Sequence, residues 1–359
     1  MIKPELKYIV VLFSVLFFIG CKSEPKTNDK PSTHKPIALK LIAPEHEAQY
    51  DIGDEINFNI QVLHPDEVID LTLHVNDSIY QEDIKPESQT IKISTVRAKA
   101  GWTTLFLTYK DSNGNQKGAT RNVFLFSDIV PEKQFANILQ TFSHNEKSYT
   151  QGLEFYNGKL YESTGSGDYS QSFLAEVDLA TGNIIKQANL ENRYFGEGIT
   201  ILNDTIYQLT WRSHKCFMYN MDFEKIGEFN YEDEGWGLCN NGKSLIMTNG
   251  TSKIVWRNPR TFEIEKYIYA VNNMNDINQL NEIELINGNL FINVYTENFI
   301  IEVDTTNGKV INQINCSDLV KEGRVGRADV LNGIAQDPET GKIYMTGKLW
   351  PSLFEVEFE

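Results

Sequence analysis

Apolar and polar residues alternate with a period of two in many short runs, and almost nowhere with a sustained period of 3.6. Between residues 37 and 128 these runs include Ile56-Asn57-Phe58-Asn59-Ile60, Leu71-Thr72-Leu73-His74-Val75 and Leu105-Phe106-Leu107-Thr108-Tyr109. Turn formers such as Asn76-Asp77 and Asp111-Ser112-Asn113-Gly114 separate them. The pattern predicts short strands with one buried face, joined by tight turns. Some ninety residues of it predict a small immunoglobulin-like β-sandwich, lacking the cysteine pair of true immunoglobulin domains. His64 and His74 are expected on its surface. No chemistry is visible here, so the segment reads as a spacer or docking module, with Ser127 to Lys133 as the linker.

Beyond the linker one unit recurs, a turn followed by a strand. Its copies are Asn157-Gly158-Lys159-Leu160-Tyr161, Asn203-Asp204-Thr205-Ile206-Tyr207, Asn241-Gly242-Lys243-Ser244-Leu245, Asn287-Gly288-Asn289-Leu290-Phe291 and Thr340-Gly341-Lys342-Ile343-Tyr344. The turns start about 40 to 50 residues apart, the period of a four-stranded propeller blade. Hairpins such as Ala175 to Leu179 with Asn183 to Ile185, or Ile301 to Asp304 with Lys309 to Ile311, supply outer strands. The last strand, Leu353 to Phe358, has no successor, and Asn137 to Phe142 precedes the first unit without a blade of its own. Pairing these two would close a ring. The expected fold is therefore all-β, a five-bladed β-propeller over 134–359 preceded by the sandwich over 37–128.

Composition adds limits. The 359 residues contain 41% apolar and 11% aromatic side chains, enough for sizeable cores. A formal charge of −16 argues against nucleic acid or an anionic membrane as partner and is compatible with a cationic substrate. Cys216, Cys239 and Cys316 form no CxxC pair and have no histidine cluster beside them, so no zinc site is expected. Burial as small hydrophobes is their expected fate.

The N-terminus changes the setting. Lys3 and Lys7 precede an apolar run from Tyr8 to Ile19, as in a signal peptide over 1–20, too short for a spanning helix. Phe18-Ile19-Gly20-Cys21 resembles the lipobox of bacterial lipoproteins, in which the cysteine is lipidated. Residues 21–36, rich in Lys, Pro, Ser and Thr, read as a flexible tether. These features place the chain at the cell envelope, periplasmic or on the surface, with the lipid its only membrane contact.

Candidate chemistry centres on Tyr194-Phe195-Gly196-Glu197-Gly198-Ile199-Thr200. A carboxylate between two glycines reads as a strand start where backbone passes close to a ligand, or as a turn whose acid faces water. Tyr149-Thr150-Gln151-Gly152-Leu153, Gly235-Trp236-Gly237-Leu238 and Thr346-Gly347-Lys348-Leu349-Trp350-Pro351 lie at corresponding positions of other units, each with glycine beside a polar or aromatic residue. Leu280-Asn281-Glu282 corresponds without the glycine and is expected just before an inner strand. A propeller gathers such stretches at one end of its channel.

Taken in order with Leu209-Thr210-Trp211 and Leu331-Asn332-Gly333-Ile334-Ala335, these motifs resemble the plant-type glutaminyl-peptide cyclotransferases, five-bladed propellers also found in bacteria. The resemblance spans roughly Ser143 to Glu359. It implies conversion of N-terminal glutamine of peptides or proteins to pyroglutamate with loss of ammonia, no required cofactor, and no catalytic metal. It further implies Glu197, Lys348 and Asn281 as the catalytic set, with Glu197 shuttling the proton and Lys348 beside the oxyanion. Gln151, Phe195, Trp211 and Trp236 would bind substrate, joined by Tyr295 where the family usually has another tryptophan. A monomer is expected.

Two other readings compete. A propeller without turnover could serve as a binding module, although it has no need of both Glu197 and Lys348. A metal-dependent hydrolase of the lactonase kind could use Glu197, Asn281 and Glu282, but an inward Asp and His complement is missing. A structural ion in the channel stays compatible with every reading.

Overall fold

Strand Glu55–Val62 points Ile56, Phe58 and Ile60 inward and its polar neighbours outward, so the alternation read along the chain becomes one face of a sheet. The computed structural model describes residues 37–167 and 171–359; the signal peptide, Cys21 and the tether lie outside the described residues. Strands Leu39–Ala43, Glu55–Val62 and Gln89–Ser94 form a three-stranded sheet. Ala48–Asp51, Gln116–Phe126, Gly101–Lys110, Ile69–Val75 and Ser78–Ile84 neighbour one another in that order across a five-stranded sheet. Both sheets bury their apolar faces in one core, with Phe58 and Ile93 from one and Leu73, Leu107 and Leu125 from the other.

The remainder is nearly all β as well. Three successive antiparallel four-stranded sheets begin with Tyr149–Tyr156, Gly196–Leu202 and Leu238–Asn240. An eight-stranded sheet then joins the strands from Leu280–Ile286 to Val310–Asn315 with those from Leu331–Gln336 to Ser352–Phe358. The first strand of each group is buried almost throughout, as Gly196–Leu202 is at every residue. The last strand alternates, as in Ile184–Asn189. Burial on both faces thus marks the inner edge of each group, and alternation the solvent edge. The five first strands neighbour one another in sequence order, and Leu331–Gln336 returns to Tyr149–Tyr156.

Glu132–Ser143 is shared between the two halves of the eight-stranded sheet. Its later residues pair antiparallel with the C-terminal strand, Phe142 opposite Leu353 and Asn137 opposite Glu357. Residues 132–135 pair in parallel with Asn312 to Asn315. The linker expected over 127–133 is therefore shorter, because its last two residues already belong to this strand. The first segment also packs on the remainder of the chain: Val271 lies in its core, and Ala100 N–H donates to the Asn307 carbonyl at 2.9 Å. Cys216, Cys239 and Cys316 are buried free thiols.

Glycine in the repeated stretches has a different cause from the one expected. A Cβ on Gly198 would collide with the Leu238 amide nitrogen, and one on Gly237 with the Asn281 carbonyl. At these two positions backbone passes close to the backbone of the next inner strand.

Candidate active site

A cavity of about 210 Å³ opens where the inner strands begin, lined by Tyr149, Gln151, Phe195, Glu197, Trp211, Trp236, Asn281, Tyr295 and Lys348. Every residue that the family resemblance implies for catalysis or substrate binding is in it. They arrive from different groups of strands: Gln151 and Glu197 from first strands, Trp211 and Tyr295 from just beyond second strands, and Lys348 from just past Ile343–Gly347.

Glu197 and Lys348 are not at an open rim. Their residual exposures are 4% and 2%. Burial pushes the Glu197 carboxyl well above the usual carboxylate range, aided by the charge of Glu234 and opposed by Lys348 and a Gln151 hydrogen bond. Burial likewise lowers Lys348, to about 8, against the attraction of Glu197, Asp329 and Glu282. Desolvating an ion costs several kcal/mol, so both groups move toward their neutral forms despite their mutual attraction. A carboxyl shifted upward beside an amine shifted downward can give and take a proton, which is what a shuttle requires.

Gln151 links the two. Its amide oxygen accepts from Lys348 Nζ and from Asn332 Nδ2, the latter at 3.3 Å. Asn332 is itself tied to the Thr150 carbonyl at 3.0 Å. Glu197 Oε2 and Asn281 Oδ1 are buried acceptors without a partner among the described residues. Unmatched buried acceptors are costly, and a ligand carrying several N–H donors would satisfy both.

Aromatic rings enclose this polar floor. Phe195 packs against Trp211 with centroids 5.7 Å apart and edge-on to Tyr149 at 6.1 Å. Trp236 meets Tyr295 edge-on at 5.7 Å. Lys348 Nζ lies 4.8 Å from the Tyr149 ring centre and 5.8 Å from that of Tyr295. The result is a small box with a carboxyl and an amine at its base.

The family model for glutamine cyclotransferase matches residues 114–358. The chain belongs to the glutamine cyclotransferase family. A curated relative, the glutaminyl-peptide cyclotransferase of Arabidopsis thaliana, is 34% identical over 230 residues, covering 62% of this chain and 71% of its own. The solved glutaminyl cyclase of Myxococcus xanthus aligns with a TM-score of 0.60 at 31% identity, over 64% of this chain and 99% of that one.

Several residues around the cavity show no sign of a role in the sequence. Tyr149 opens a recognised motif but was singled out for no role; its hydroxyl donates to Asp329 at 3.3 Å and its ring faces Lys348. Asn332, in another recognised motif, touches Gln151 rather than the cavity. Glu234 stands directly before the Gly235-Trp236 motif and carries no sequence signal of its own. Glu282 goes the other way. It lies within strand Leu280–Ile286 with Asn281 rather than before it, and its carboxylate accepts from Leu153 N–H at 3.3 Å and Ile334 N–H at 2.8 Å. Bonded into the inner strands, it does not join Glu197 and Asn281 in the cavity, as the metal-hydrolase reading required. Behind it Glu154 and Glu284 are also held toward the protonated form by burial, Glu284 up to about 8. Among the described residues no group of three or more His, Cys, Asp or Glu side chains could hold a metal ion.

Proposed function

We propose how this pocket carries the family reaction, which converts the N-terminal glutamine of peptides or proteins to pyroglutamate. The substrate's neutral α-amine attacks its own side-chain carboxamide carbon. Glu197 takes a proton from the attacking nitrogen as the carbon–nitrogen bond forms, and the former carbonyl oxygen becomes an oxyanion beside the Lys348 ammonium. Glu197 then returns that proton to the carboxamide nitrogen, the old carbon–nitrogen bond breaks, and ammonia leaves. Asn281 Oδ1 accepts from the substrate's amine or amide, and Gln151 holds Glu197 and Lys348 in register. Phe195, Trp211, Trp236 and Tyr295 fold the aliphatic stem so that amine and carboxamide meet.

The observation that carries this reading is the joint burial of Glu197 and Lys348 about one amide, at the base of a cavity of glutaminyl size. The test is incubation of the purified chain with dipeptides beginning with glutamine. Ammonia and pyroglutamyl product in equal amounts are expected, and binding without ammonia release would leave only a binding module.

The same reading takes the five strand groups as blades of one propeller, closed by the pairing of Phe142 with Leu353, over domain 134–359. The contacts between successive first strands support it. The two-sheet segment, 37–128, is taken as an immunoglobulin-like sandwich; its three- and five-stranded sheets around one core support that. An experimental structure with another blade number would overturn the architecture. We also place the chain, as a monomer, at the cell envelope through a lipid on Cys21. A Cys21→Ala chain should leave the membrane fraction, and retention there would refute the anchor.

A further inference from the structure

Trp211 follows the second strand of one sheet and Trp236 precedes the first strand of the next; Gly235 N–H donates to the Trp211 carbonyl at 3.2 Å, which brings the two backbones together but leaves the orientation of the rings to their side chains. One carboxylate joins the two rings. Glu234 Oε2 accepts from Trp211 Nε1 at 2.6 Å and from Trp236 Nε1 at 3.0 Å. Its other oxygen accepts from Arg212 Nε at 2.7 Å, and the Arg212 guanidinium lies 3.9 Å from the Trp211 ring centre.

We propose that Glu234 is a positioning residue that sets the spacing and tilt of Trp211 and Trp236, and thereby the slot that holds the glutaminyl stem. The inference rests on the reaction proposed for this pocket.

The simpler account, a surface ion pair with Arg212, explains too little. The Arg212 side chain is largely exposed, and such pairs contribute little on their own. Each indole has a single N–H donor, and both are spent on the same oxygen atom. With the two backbones already joined between Gly235 and Trp211, this shared acceptor is what ties the rings themselves together. Trp236 is confined from behind as well, since its ring lies against Gly250, where a Cβ would come within 2.7 Å. Burial opposes ionisation of Glu234, but hydrogen bonds from Arg212, Trp236 and Trp211 outweigh it and hold the carboxyl below its usual range. It therefore carries charge at the working pH and makes the stronger, charge-assisted kind of bond.

That charge supplies a second readout. The charged and titratable groups that act on Glu197 or respond to it are Lys348, Glu234, Tyr149 and Tyr231. Of these, Glu234 is the one that hydrogen-bonds both tryptophans. Glu234→Gln keeps an amide oxygen that can accept from both indoles and removes the negative charge. Glu234→Ala removes both.

The experiment compares wild type, Glu234→Gln and Glu234→Ala in the full chain, by steady-state kinetics on a glutaminyl dipeptide and by near-ultraviolet circular dichroism without substrate. Glu234→Ala should raise KM roughly tenfold, in line with losing a charge-assisted hydrogen bond, and flatten the tryptophan dichroism. Glu234→Gln should keep KM within about threefold of wild type and retain the dichroism, since the acceptor survives. Its enzyme-borne acid limb of kcat/KM should move to lower pH, while the limb set by the free substrate amine stays fixed. Normal KM and dichroism in Glu234→Ala, or a Glu234→Gln chain as impaired as Glu234→Ala, would overturn the proposal. If Glu234→Ala does not fold, Glu234→Asp, whose shorter stem can reach only one indole, takes its place, with the same two readouts and an intermediate loss expected. A wild-type chain that releases no ammonia would defeat the proposed reaction instead, and the dichroism would still judge the slot.

Discussion

Lys348 donates to the side-chain oxygen of Gln151 across 197 residues of sequence. Because Asn332 shares that oxygen, the amide is held by two donors and its remaining hydrogen-bonding capacity is turned to Glu197. The acid, the amide and the amine act as one buried unit, and most predictions concern what happens when a member is changed.

Glu197→Gln removes basicity while keeping size. We expect kcat to fall by roughly 10²-fold to 10⁴-fold with KM little changed, the range for loss of a general acid-base group. Because burial already disfavours the charged form, thermal unfolding of this variant should show no loss of stability. Near-normal turnover would remove Glu197 from the mechanism.

The pH profile should be bell-shaped. The attacking amine must be neutral and Glu197 ionised, so kcat/KM rises with pH through both groups, the amine titrating near about 8 for a typical α-amine. Lys348 must be charged to face the oxyanion, and its pKa of about 8 makes activity fall above that value. Lys348→Ala should lower kcat by about 10²-fold to 10³-fold and abolish the descending limb. A limb that persists in the variant would assign it to another group.

Activity should survive EDTA. In the mechanism we propose, proton transfer by Glu197 and charge stabilisation by Lys348 complete the reaction without a Lewis acid. Ammonia release that chelation abolishes and added zinc restores would reassign the mechanism to a metal.

Stability should depend on a second buried pair, beside the site. His144 Nδ1 faces the Trp350 carbonyl at 2.8 Å and Nε2 faces Glu162 at 3.2 Å, while Ser148 and Thr150 also donate to that carboxylate. Burial lowers the His144 pKa, but Glu162 and the carbonyl outweigh it, so the net shift is upward. A histidine raised on folding stabilises fully below its unfolded pKa, near about 6.5, and loses that contribution as pH rises through the folded value. His144→Gln should therefore cost about 3 kcal/mol between pH 5 and 6.5, with a smaller cost at higher pH. Melting curves of both chains across pH would check the sign, and a gap that widens with pH would contradict it.

The strands, their turns and the side chains that line the cavity were legible along the chain. Alternation with period two is a local property of extended backbone, and turn residues mark its ends, so Ile56 to Ile60 or Asn287 to Phe291 reveal themselves without partners. The recurrence of glycine beside Gln151, Glu197, Trp236 and Lys348 is likewise written in order, and all four side chains reach one cavity. What glycine does there was not legible, because the collision avoided at Gly152, Gly198 and Gly237 is with the next strand's backbone, and at Gly347 with the Trp350 ring. Nor did adjacency separate Asn281, which lines the cavity, from Glu282, which is bonded to Leu153 and Ile334. The bridge from Glu234 to two indoles and the depth at which Glu197 and Lys348 sit were decided only by tertiary structure. Hydrogen bonds between sheets and the loss of water around a charge depend on distances that no spacing along the sequence specifies.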